Sequence, residues 1–169
     1  KKFANIGELV TQIGADAETA RRILADPPTD AQAPEAGAWR ELIHTADWAV
    51  DATGADPRQL FANAAAAMYT LQDADAMQPV TLARAISADA DGYEDLLVAW
   101  LNRLLLGQEL GGEMYTRFEL FELSERGLRG AAYGYHGTPA HTAIKAVTYY
   151  DLSVRQTDAG WQARVTFDV

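Results

Sequence analysis

The sequence contains no cysteine. That excludes thiol catalysis, disulfide staples and zinc–thiolate sites, and it is compatible with a reducing compartment. Histidine is scarce as well: His44, His136 and His141 are the only three, so an imidazole-built zinc site is poorly stocked. Lysine occurs only at Lys1, Lys2 and Lys145, and 14 basic residues face 24 acidic ones, for a formal net charge of −10. A surface of that sign repels phosphate backbones, so non-specific nucleic-acid binding is disfavoured and any RNA-related role would run through a protein partner. No apolar run approaches the roughly 18–20 residues of a membrane-spanning helix, and the start carries no secretory pattern. The longest greasy stretch, "DLLVAWLNRLLL", is broken by Asn102 and Arg103. A soluble, cytoplasmic protein is expected.

What is present supports a proper core. With 169 residues, 49% of them hydrophobic, the chain is one domain of ordinary size with room for an appendage. Residues 1–38 read differently from the rest. "NIGELVTQIG" and "DAETARRILAD" predict two short helices, with Ile6, Leu9, Val10 and Ile13 on one face, a break at Gly14 and Asp16 as an N-cap. "DPPTDAQAPEAGA" carries three prolines and no large apolar residue, which marks a linker. The spacing resembles a helix-turn-helix reader only superficially. Arg21 and Arg22 are the sole basic residues beyond the leading lysines, so a small helical extension used for docking or capping is the better reading.

From Trp39 the pattern mixes helix and strand. "AWRELIHTADWAVDATG" predicts one or two short strands interrupted near His44–Asp47. "DPRQLFANAAAAMYTLQ" predicts a helix capped by Asp56 with Pro57 at its first position, and Leu60, Phe61, Ala64, Ala65 and Met68 sharing a face. "VTLARAISADA" alternates as a strand. "GYEDLLVAWLNRLLLG" gives the strongest helix, with Leu96, Leu97, Trp100, Leu101, Leu104 and Leu105 on one stripe, stopped by Gly107 or by Gly111–Gly112. Two hairpins follow, one turning at "SERG" and one at "RQTDAG". In the last strand Trp161, Ala163, Val165 and Phe167 alternate with Gln162, Arg164, Thr166 and Asp168, so Phe167 anchors the strand end and turns Asp168 outward. The order predicts an α+β fold in two layers, a mostly antiparallel or mixed sheet with two main helices.

Two acidic spots carry the functional reading. "ARVTFDV" ends with Asp168 beside the carboxyl group of Val169, and "HTAD" holds His44 and Asp47. Neighbouring anions repel unless a cation sits between them, and hard cations such as calcium take six to eight oxygens at about 2.3–2.6 Å from carboxylates, carbonyls and water. Asp47, Asp168 and the terminal carboxylate would begin such a shell. Alternatively His44 and Asp47 form an acid/base pair of a metal-dependent phosphoester hydrolase, which needs the segment to turn; Thr and Asp favour that through local backbone bonds. No nucleophile accompanies them. Ser87, Ser124 and Ser153 have no elbow setting, and "GYHGTPAH" lacks the phosphate-loop pattern. His136 and His141 read as loop hydrogen-bonders and Lys145 as a strand-edge charge, so the chain reads as a non-enzyme. A generic chaperone-like binding module is the third reading.

"HTAD", "LFANAAAAMYTL", "DLLVAWLNRLLL", "HTAIKAVTYYDLSV" and the closing "WQARVTFDV" together resemble the archease family, over residues 39–169. The resemblance implies an accessory protein of the RtcB-type RNA ligase, which works through a guanylylated histidine in tRNA splicing and RNA repair. Such a protein promotes guanylylation and multiple turnover of the ligase without being a ligase itself, and meets RNA only through it. The resemblance also implies a divalent-metal site (calcium, magnesium or manganese) at Asp47 and Asp168, with Val169, and partner contacts at His44, His141 and Lys145. This chain departs from the family in having Tyr150 where histidine is common, in the short spacing from His141 to Lys145, and in residues 1–38.

Overall fold

In the computed structural model of the chain, residues 37–42, 47–140 and 142–169 are described. The N-terminal helices and most of the linker read above lie outside them, as do His44 and His141. The described residues form the expected α+β architecture with two main helices. In chain order the elements are β1 (Trp39–Leu42), β2 (Trp48–Gly54), α1 (Pro57–Leu71), β3 (Leu82–Asp89), α2 (Tyr93–Gly111), β4 (Glu113–Ser124), β5 (Gly127–His136), β6 (Ala146–Thr157) and β7 (Gly160–Asp168).

The strands divide into two sheets, ordered β1-β2-β7-β6 and β3-β5-β4, and every described pair is antiparallel. Both hairpins close at two-residue turns, between Ser124 and Gly127 and between Thr157 and Gly160. Helix α1 starts where its sequence dictates. Asp56 is extended and accepts from the Gln59 N–H at 2.9 Å, Gln59 reaches back to the Ala55 N–H at 2.7 Å, and Pro57 opens the helix. Its alanine run is buried nearly all round, because α1 touches β2 and β7 of one sheet and β4 of the other. Small side chains let it lie that close. Gly54, at the end of β2, sits so near the Leu60 backbone that a Cβ would collide with it.

Helix α2 runs past Gly107 and ends at Gly112, whose φ of 60° and N–H bond to Gln108 O make a left-handed cap. Gly107 is therefore no stop signal. It keeps the helix surface open for the Tyr115 hydroxyl and the Glu113 carboxylate, which a Cβ would strike. The helices are tied by Trp100 Nε1 donating to Phe61 O at 3.2 Å and by the Tyr69 hydroxyl donating to Leu104 O at 3.1 Å. Their apolar faces, with Val165 and Phe167 from β7 and Phe118 from β4, form one core.

Candidate acidic site at the end of the four-stranded sheet

The last rung of the β2–β7 ladder pairs Trp48 with Phe167. Asp47 immediately precedes Trp48 and Asp168 immediately follows Phe167, so two antiparallel neighbours deliver both aspartates to the same sheet end. Phe167 is fully buried, which fixes the strand end, while Asp47 and Asp168 are exposed. On the other flank Ala146 of β6 pairs with Asp168, and the Lys145 N–H donates to Asp168 O at 2.8 Å. The Lys145 ammonium reaches across and donates to Val169 O, also at 2.8 Å. Three strands thus bring together Asp47, Asp168, Val169 and Lys145. No positions are described for His44 and His141. His136 pairs with Glu113 in the three-stranded sheet, with its Nδ1 3.0 Å from Gly111 O.

The donors gathered here are hard oxygens. Two carboxylates at adjacent strand ends and an oxygen of Val169 suit calcium, magnesium or manganese with water and main-chain oxygens completing the shell, and do not suit a soft metal. Among the described residues no three His, Asp or Glu side chains converge as a ready-made cage.

Two polar clusters escaped sequence reasoning. Asp51 of β2 is 4% exposed and stands directly opposite Arg40 of β1 and Arg164 of β7. It accepts from Arg164 Nε at 2.7 Å and Nη2 at 3.0 Å, and from Arg40 Nη2 at 2.9 Å. The Arg164 bonds hold its carboxyl below the usual carboxylate range, against burial, which pushes it up, and Arg40 adds to the lowering. In the second cluster the Arg84 guanidinium and the Tyr115 hydroxyl both donate to the Glu113 carboxylate, and Arg84 Nε also meets the Tyr115 oxygen at 2.9 Å. Arg84 foremost keeps Glu113 low, while burial and that carboxylate push the Tyr115 hydroxyl up. Asp51 is held by two guanidinium groups and Glu113 by Arg84 and the Tyr115 hydroxyl, so both carboxylates tie strands together.

The family model of the Archease protein family (MTH1598/TM1083) matches residues 39–169, from the start of β1 through the acidic end. The protein archease of Methanopyrus kandleri is 34% identical over 139 residues, spanning 78% of this chain and 99% of its own length. That of Methanosarcina mazei is 33% identical over 137 residues, spanning 76% and 93%. The solution structure of Methanobacterium thermoautotrophicum protein 1598 superposes with a TM-score of 0.65 at 26% identity, covering 78% of this chain and 99% of the other. A Thermotoga maritima crystal structure, described as an archease and possible chaperone, shares the fold with a TM-score of 0.55 at 22% identity, covering 77% and 97%. Because the match takes in both helices, both sheets and the strand ends that carry Asp47 and Asp168, the chain belongs to the archease family.

Proposed function

We propose that the chain is an accessory factor of an RtcB-type RNA ligase, promoting the ligase's guanylylation and multiple turnover in tRNA splicing and RNA repair. The observation that carries this reading is the β2–β7 register, which sets Asp47 and Asp168 at one exposed sheet end beside Lys145 and Val169. Asp47, Asp168 and the Val169 oxygen would hold a divalent cation there. Bound, such a cation supplies charge neutralisation for the phosphates of a nucleotide in the partner's pocket. The Lys145 ammonium restrains the Val169 oxygen, so the donors approach the partner as a set and not as a loose tail. His44, His141 and Lys145 are assigned to contact with the ligase. The covalent chemistry stays with the ligase's own histidine, and a net charge of −10 leaves RNA to the partner.

The test is transfer of labelled GMP from GTP to a cognate ligase at limiting GTP, with wild type and Asp47→Ala side by side. Acceleration is expected from wild type, with most of it lost in the variant. Absence of acceleration by wild type would remove the accessory role. Equal acceleration by both would detach the role from the acidic end. The hydrolase reading would instead require phosphoester cleavage by the chain alone that Asp47→Ala abolishes.

A further inference from the structure

Strand β6 leaves regular pairing just beyond the acidic end. Its ladder with β7 runs through Ala146–Asp168, Val147–Phe167 and Thr148–Thr166 and resumes at Ser153–Arg164, so residues 149–152 stand opposite the single Val165. Within this bulge Asp151 has a φ of 51°, a left-handed conformation that aspartate adopts more readily than most non-glycine residues. Its side chain is tied back to the sheet. Arg164 Nη1 donates to the Asp151 carboxylate at 3.3 Å, and the same guanidinium is clamped from the other side by buried Asp51. On the far flank the Val154 N–H donates to the Glu94 carboxylate of α2 at 3.2 Å. What this bracing presents to solvent is two adjacent tyrosines, Tyr149 at 63% and Tyr150 at 68% exposure.

We propose that Tyr149 and Tyr150 are the apolar anchor by which the chain docks on the same protein that receives its acidic end. This inference rests on the accessory reading above. Tyrosine is favoured at interface hot spots because a rigid ring buries much apolar area at little entropic cost and keeps a hydroxyl for a polar partner. The tyrosines follow Ala146 by three and four residues, at most about 10–13 Å at the full strand rise, whereas a standard interface patch of about 800 Å² is roughly 30 Å across. One partner surface is wide enough to reach both. The occupant is a protein and not RNA: Asp95 is the hydrogen-bond partner of Tyr149 and Asp151 follows Tyr150, so a base stacked there would bring its phosphates onto carboxylates. Its complement is an apolar pocket rimmed by basic side chains.

The test measures the Kd of full-length chain for the cognate ligase by calorimetry, and GMP transfer separately, for wild type, Tyr150→Ala and the double variant Tyr149→Ala/Tyr150→Ala. The double variant is expected to raise Kd by about tenfold or more, the scale of a truncated interface tyrosine, while reaching the wild-type plateau rate at saturation. Tyr150→Ala alone, the more exposed position, gives part of the same rise and guards against a folding defect, which the melting temperature checks. An unchanged Kd in both variants overturns the proposal. So does single-stranded RNA binding that the variants lose while their ligase Kd stays put. If wild type binds the ligase without accelerating GMP transfer, the accessory role fails and the Kd comparison still decides the anchor. If wild type does not bind the ligase at all, both fall.

Discussion

Asp51 is the residue on which the four-stranded sheet turns its charge inward. Its folded pKa lies below the unfolded value of about 3.9, since Arg164 and then Arg40 stabilise the anion more than burial opposes it. A lowered carboxylate contributes stability that is complete above the unfolded pKa and is lost as pH falls through the folded value. Asp51→Asn keeps the shape and removes the charge, and it should cost about 2 kcal/mol at neutral pH, within the range for a charge-assisted bond partner. Urea unfolding at pH 7 and at about pH 3 checks this: the gap between wild type and variant should narrow in acid, because below the unfolded pKa the unfolded wild type takes up a proton that the folded anion resists. A gap of equal size at both pH values would sink the assignment. None of this was legible in "WAVDATG". Alternation shows which face of β7 Arg164 takes, but Asp51 and Arg164 are 113 positions apart and meet only through strand register.

Local signals settled the helices, and long-range packing settled the rest. Asp56 and Pro57 act within one turn, so the start of α1 was readable; both hairpin turns were readable for the same reason. Gly107 and Gly112 look alike in sequence. Gly112 caps α2, whereas Gly107 makes room for Tyr115 and Glu113 from another element. How the seven strands of the described residues divide between two sheets was equally hidden, because alternation identifies faces and not neighbours. The same limit applied to the acidic end: Asp168's outward turn followed from Phe167, but only family resemblance joined it to Asp47 before the β2–β7 register did. Gly54 supplies the test at this scale. A Cβ there would strike the α1 backbone at Leu60, which no rotamer change can relieve, so Gly54→Ala should destabilise by about 3 kcal/mol as α1 is forced off β2. Thermal unfolding measures it, and a shift of less than a degree or two would mean that the strand end and helix start yield easily.

Across the whole molecule a net charge of −10 repels itself, so any added salt screens the surface and steadies the fold to some extent. A cation bound at Asp47 and Asp168 must do more than that. At a hundred times its dissociation constant it should add about 2.7 kcal/mol, or roughly 8 °C in melting temperature for a chain of this length. Calcium, magnesium and manganese would each be compared with sodium chloride at matched ionic strength, so that screening cancels. Asp168→Asn then separates the two effects by sign. In chelator the variant has one fewer like charge beside Asp47 and should melt at or above wild type. In saturating cation it should melt below wild type, because the site-specific gain is gone while the screening gain remains. Curves that never cross, with wild type no more responsive to divalent ions than to sodium, would leave the acidic end as a contact surface without a metal.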